Sequence, residues 1–137
     1  MLCEIDILSE SDVAVLVSRA GRALRQVAVP EVEVGRLLTV CSELARNIAR
    51  YGNHGVVTLD VRPHDGGLRA VIEANDRGPG IADIDAALRD HYSTGGTLGL
   101  GLPGVRRMMD VLRIESNPGK GTRVRVEHQV VRRKPTR

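Results

Sequence analysis

Three glycines, Gly99, Gly101 and Gly104, lie within "TLGLGLPG" from Thr97 to Gly104. Glycines at such spacing let successive backbone N–H groups converge on one point, a concave nest for an anion, and a helix starting behind them adds partial positive charge there. The stretch is therefore either a phosphate cradle or a plain flexible connection into a helix. Its surroundings exclude two familiar devices. A dinucleotide fingerprint follows a buried strand directly and is answered by an acidic residue about 20 positions on. Here "HYSTGGTL" precedes Gly99, which is loop composition, and the acidic residue in a second strand is missing. A Walker A loop needs a Gly-Lys-Ser/Thr ending, and none follows.

Three further groups carry possible chemistry. Glu43 and Asn47 stand at i and i+4, so both polar side chains leave one stripe of a helix that is otherwise apolar there. They are either solvent-facing, or a proton-abstracting carboxylate beside an oxygen ligand for Mg²⁺. In "NDRGPGI", Asp76 ends a strand and Gly78 and Gly80 open a tight turn. That is an ordinary turn, or a carboxylate at the sheet mouth that accepts an adenine amino hydrogen while the glycines let the ring approach. "GKGT", Gly119 to Thr122, is a hairpin turn whose hydroxyl could support the same base.

The elements that must position these groups follow from periodicity. "CEIDIL" alternates and predicts a half-buried strand. Ser9 or Ser11 is placed to cap a first helix with Val13, Leu16, Val17, Ala20, Leu24 and Val27 at helical spacing, closed by Pro30. A second helix is expected over 31–51, with Leu37, Leu38, Cys41, Leu44, Ala45 and Ile48 on its apolar face and "GNHG" as its stop. "VVTLDVRP" and "LRAVIEAN" read as a hairpin around Asp65-Gly66. A short helix over 83–89, a Ser/Thr/Gly loop from His91 and a helix from near Leu102 come next. "LRIESN", the turn "PGKG" and "TRVRVEHQVV" close the chain as a second hairpin, with Val124, Val126 and Val130 on one face. Strands in hairpins and helices in consecutive pairs are not the strict alternation of a doubly wound fold. The expectation is an α/β two-layer sandwich, with a mixed, mostly antiparallel sheet covered on one face by helices.

Taken together and in this order, the four stretches resemble the GHKL ATPase superfamily, the Bergerat fold of histidine kinases, gyrase-type ATPases and bacterial anti-sigma-factor serine kinases. The likeness covers roughly residues 33 to 126. It implies that "ELARN" is the N box, with Glu43 as general base and Asn47 as magnesium ligand. It implies that "DRGPG" is the G1 box, with Asp76 on adenine and Gly78, Gly80 and Ile81 beside it. "GLGLPG" becomes the G2 box, the amides of Gly99, Leu100, Gly101 and Leu102 facing the triphosphate. Thr122 belongs to the last box, and Ser93 and Thr94 to a very short ATP lid. Arg50 falls where such kinases often carry a basic residue, so it either contacts phosphates or is a solvated helix arginine. His54 and His91 are read as surface residues.

In detail, "STGGTLGLGLPGVRRMMD" with "ELARN" and "DRGPGI" is most similar to the RsbT-type switch kinases of the stressosome. That resemblance implies a serine/threonine protein kinase using ATP and Mg²⁺, STAS-domain proteins as phosphate acceptors, and a phosphatase activated by binding. No histidine-bearing helical hairpin precedes the expected domain and no transducer domain follows, which argues against an autophosphorylating histidine kinase and a gyrase-type machine. The alternative is an anti-sigma factor or partner-switching module that sequesters a sigma factor.

The bulk numbers agree with one small domain. The chain has 137 residues, 42% hydrophobic and 27% charged, enough for one core and too few for two. One domain over residues 1–130 and a basic tail over 131–137, "VRRKPTR", are expected. The net charge of +3 owes much to that tail, read as solvated or as a docking segment for an acidic partner. There is no Phe or Trp, and only Tyr51 and Tyr92 are aromatic, so single-stranded nucleic acid finds no stacking platform and no nucleic-acid partner is expected. Cys3 and Cys41 form no ligand cluster and read as small core residues of a reduced, cytoplasmic protein. No apolar run of about 18 residues and no signal peptide is seen, so no membrane partner is expected.

Overall fold

The computed structural model describes residues 2–51, 53–80 and 101–131. The helix expected over 83–89, the loop from His91, the tail beyond 131, and Ile81, Ser93, Thr94, Gly99 and Leu100 lie outside the described residues. The elements are β1 (Cys3–Ile7), α1 (Ser11–Gln26), α2 (Glu31–Tyr51), β2 (Gly55–His64), β3 (Gly67–Asp76), α3 (Gly101–Met108), β4 (Val111–Asn117) and β5 (Gly121–Val130).

The five strands form one sheet in the order β1-β2-β3-β5-β4. Every described pairing is antiparallel, so the sheet goes further than the mixed arrangement expected from the sequence. Two hairpins supply two of the pairings. In the first, His64 pairs with Gly67 across Asp65 and Gly66, whose φ values of 48° and 77° are the positive pair that a two-residue hairpin loop requires.

Register decides what each face of the sheet carries. Ile5, Val57, Ala74, Val124 and Ile114 form one cross-strand row; Cys3, Leu59, Ile72, Val126 and Leu112 form the next. These rows face the helices. From α1 they receive Val13, Leu16, Ala20 and Leu24, and from α2 Val34, Leu37, Val40, Cys41, Leu44, Ala45 and Ile48. With no Phe or Trp, this aliphatic packing is the core, each fully buried Leu, Ile or Val contributing about 2 kcal/mol before entropy is set against it. The opposite face carries the row Glu4, Thr58, Glu73, Arg125 and Arg113.

The start of α1 differs from expectation. Neither serine hydroxyl caps it; Glu10 is the N-cap and makes no side-chain cap bond. Asp12, in the first turn, instead reaches back and accepts hydrogen bonds from the amides of Leu8 (2.8 Å) and Ser9 (3.1 Å). Ser9 and Ser11 bond to each other through their hydroxyls at 2.8 Å. A carboxylate here also suits the positive end of the helix.

Candidate functional site

The apolar stripe of α2 sits on the sheet, and that placement fixes which way the polar residues at its edge look. Glu43 is buried at 7% exposure although it is a charged residue. Its carboxylate is held at both oxygens. Oε1 lies 3.4 Å from an Arg46 guanidinium nitrogen one turn on, and Oε2 accepts a hydrogen bond of 3.2 Å from the Gly101 amide. Gly101 is the first residue of α3 and has φ of 61°, the left-handed region where a side chain is strained. The N-terminus of α3, one of the expected phosphate-facing segments, is thus brought against the expected base. Asn47, one turn beyond Glu43, is half-buried and its side chain makes no hydrogen bond to any described residue, which leaves its carboxamide oxygen available as a ligand.

Arg50 shares the stripe but is directed elsewhere: its Nε lies 3.3 Å from Glu10 Oε1, a partner 40 positions away at the start of α1. Leu102 is buried in α3, as is Gly104.

The second half of the arrangement is built at the ends of β3 and β5. Asp76 is the last residue of β3, and its Oδ1 accepts two backbone amides, from Gly78 at 2.9 Å and from Thr122 at 3.1 Å. The first bond closes the turn that follows the strand, and the second ties that turn to β5. Oδ2 takes no hydrogen bond from a described residue, so one oxygen anchors and the other is presented. The turn is docked on the second hairpin by Gly119 N donating to Pro79 O at 2.9 Å. Gly80, at φ of 82°, lies so close that an added Cβ would stand 2.6 Å from the Asn117 carbonyl oxygen. Thr122 is buried, and its hydroxyl shares a 3.0 Å hydrogen bond with Ser116, its cross-strand partner.

Three participants were missed in the sequence. Ser116 was legible in principle, since counting back from the "PGKG" turn places it opposite Thr122. Gly121 was not, because its role depends on a contact with β3: at φ of 90°, any Cβ there would collide with the Asp76 carbonyl oxygen. Arg46 sits at i+3 from Glu43 and was readable as a helical ion pair.

The chemistry available is oxygen and amide chemistry. Burial first, and then the neighbouring Cys3, push the Cys41 thiol up to about 12, so it supplies no thiolate. Among the described residues no cluster of three or more His, Cys, Asp or Glu could hold a metal by itself. A single carboxamide oxygen such as Asn47 suits a cation whose other ligands are waters and phosphate oxygens. No helix among the described residues is long and apolar enough to cross a membrane.

Comparisons with known proteins point the same way as this geometry. Residues 33–132 match the family described as Histidine kinase-, DNA gyrase B-, and HSP90-like ATPase. The chain is 36% identical over 120 residues to the serine/threonine-protein kinase RsbT of Bacillus subtilis, covering 88% of this chain and 90% of that one. It is 30% identical over 132 residues to an anti-sigma F factor of Thermoanaerobacter, covering 91% of each. Among solved structures, the RsbU and RsbW domains of a Mycobacterium tuberculosis protein superpose with a TM-score of 0.62 at 16% identity over 97% of this chain. The chain also aligns with full-length ShkA, crystallised in complex with AMPPNP, at a TM-score of 0.57 and 23% identity over 89% of this chain. This chain spans about a third of each of those two, 35% and 31%. At such identities they show the shared fold.

Proposed function

The chain belongs to the histidine kinase-, DNA gyrase B- and HSP90-like ATPase family, and from that premise we propose that it is an ATP-dependent serine/threonine protein kinase. Its proposed acceptors are STAS-domain proteins of a partner-switching stress pathway in the cytoplasm, and it would then act on a phosphatase by binding. The observation that carries the reading is the Glu43 carboxylate, buried and held against the first amide of α3, with Asn47 one turn further along the same stripe.

Bound Mg-ATP would supply a transferable phosphoryl group with its charge partly neutralised. Asn47 would hold the cation through its carboxamide oxygen, and Arg50, whose Nε pairs with Glu10, is the candidate phosphate contact from the same stripe. Asp76 would orient the adenine amino group with Oδ2, its geometry fixed because Oδ1 is already committed to two amides. Gly78 and Gly80 leave the adjoining backbone without side chains. Thr122 and Ser116 would present hydroxyls at the same edge. The amides at the head of α3, Gly101 and Leu102 among the described residues, would face the phosphates. Glu43 would accept the proton of the incoming Ser or Thr hydroxyl at a carboxylate oxygen. Ile81, Ser93, Thr94, Gly99 and Leu100 keep their proposed places beside the base, in the lid and at the phosphates on sequence grounds.

The test is transfer itself. Incubation with Mg-ATP and a panel of STAS-domain proteins, followed by mapping of phosphorylated residues, should give a labelled Ser or Thr. Glu43→Gln should retain nucleotide binding and lose transfer; transfer at the wild-type rate would remove Glu43 from the role of base. The similarity to an anti-sigma F factor favours a second reading, sequestration of a sigma factor. A stable complex with a sigma factor, alongside normal ATP binding and no transfer to any STAS protein, would select it.

A further inference from the structure

The Gly101 amide has one hydrogen, and Glu43 Oε2 takes it at 3.2 Å. A phosphate oxygen cradled at the head of α3 needs that same hydrogen. Two anions cannot both have it at full strength, and the carboxylate is buried, so it cannot retreat into water. It has one other described partner, the Arg46 guanidinium 3.4 Å from Oε1.

We propose that nucleotide phosphate displaces the Glu43 carboxylate from the Gly101 amide onto Arg46, so that binding of the nucleotide itself frees the base, and that Arg46 is the positioning residue that receives it. The inference rests on the ATP reading above. Before exchange, Glu43 is pinned to α3 and acts as an internal ligand for the phosphate-facing amide. After exchange, the carboxylate is held on the α2 side by a guanidinium whose side chain is half-exposed and can follow it. Linkage makes the exchange measurable from either end: whatever weakens the hold of Glu43 on Gly101 strengthens nucleotide binding by the same factor.

The experiment is a double-mutant cycle read by calorimetric titration of the full chain with Mg-AMPPNP. Glu43→Ala removes the competitor and should bind at least about fivefold tighter than the wild type. Arg46→Ala leaves a displaced, buried carboxylate without its cation and should bind about fivefold weaker. In the Glu43→Ala background, Arg46→Ala should change affinity by less than about twofold, because nothing remains to be received. An Arg46 that merely attracts phosphate would weaken binding equally in both backgrounds, and that result would overturn the proposal. So would a Glu43→Ala affinity equal to or weaker than wild type.

A second readout needs no activity. The Gly101 amide resonance of Glu43→Ala should differ from wild type without nucleotide and converge on it when AMPPNP is added. Resonances that stay equally far apart in both conditions would refute the exchange. Loss of the ATP reading is distinguishable, since a wild-type chain that binds no AMPPNP brings down both ideas, whereas normal binding with an additive cycle brings down this one alone.

Discussion

Gly121→Ala is the sharpest probe of how the corner around Asp76, the proposed adenine contact, is built. Residue 121 has φ of 90°, and a Cβ there would collide with the Asp76 carbonyl oxygen, stand 2.9 Å from its carbon and lie 3.2 Å from Arg77 Cα. All three obstacles are backbone, so no side chain can swing away. The end of β3 and the start of β5 must part, which stretches the 3.1 Å hydrogen bond from Thr122 N to Asp76 Oδ1. The left-handed backbone costs about 1–2 kcal/mol for a residue with a Cβ, and loss of a hydrogen bond to a charged group adds about 1.5–3 kcal/mol. The expected destabilisation is about 3 kcal/mol, or some 10 °C in Tm for a chain of this size. Gly119→Ala is the matched control, with φ of 78° and nothing within 4 Å of an added Cβ, and should lose only the backbone part. Chemical unfolding monitored by circular dichroism measures both. If Gly121→Ala falls within error of Gly119→Ala, the close approach of β5 to Asp76 is not holding the corner together.

Asp76→Asn should abolish measurable ATP binding by calorimetry, because an amide that keeps the Gly78 and Thr122 bonds through its oxygen turns its NH₂ donors toward the adenine amino group; retained affinity would place adenine elsewhere. On the open face of the sheet, hydrogen bonds from Arg123 at 2.9 Å and Arg125 at 2.6 Å hold the Glu73 carboxyl below its ordinary value of 4.5. The folded chain then binds fewer protons than the unfolded one, so this contribution is complete above that value and is lost as pH falls through the lowered one. The stability gap between wild type and Glu73→Gln should be flat above about pH 5 and shrink as pH drops below 4.5; a gap independent of pH would show that the carboxylate charge contributes nothing.

The fold was legible where the sequence states local geometry. Period-two alternation and the Asp65-Gly66 turn gave β2 and β3 to within a residue, and the apolar spacing gave α1 and α2. The Glu43/Asn47 stripe and the end of β3 at Asp76 were readable for the same reason. What failed depended on separation along the chain or on competition between short-range options. Serine is a good cap, but here Ser9 and Ser11 bond each other and Asp12, inside the first turn, takes the Leu8 and Ser9 amides that the chain leaving β1 points at it. Arg50 follows the helical stripe as expected, but periodicity cannot see its ion pair with Glu10, 40 positions away. His128 sits among the valines of β5 at 8% exposure, against simple alternation of apolar and polar. It is tolerated there because Nε2 meets Glu33 Oε2 of α2 at 2.8 Å, although the buried Nδ1 has no hydrogen-bond partner among the described residues, Asp110 Oδ2 standing 3.6 Å away.

The two readings that "DRGPG" left open, an ordinary turn or an adenine site, are not rivals once the hydrogen bonds are known. A carboxylate has two oxygens, and Asp76 divides them: Oδ1 makes the turn by accepting Gly78 N and joins it to β5 by accepting Thr122 N. Because those bonds fix the plane of the carboxyl group, they also fix where Oδ2 points. The turn is therefore the means by which the proposed adenine contact is aimed. Glu43 shows the same economy, with one oxygen on its own helix at Arg46 and the other on α3 at Gly101. Substituting either acid thus disturbs structure and site together. Variants of the partners, Gly121 for Asp76 and Arg46 for Glu43, separate the two effects, because they alter how each carboxylate is held while leaving the carboxylate in place.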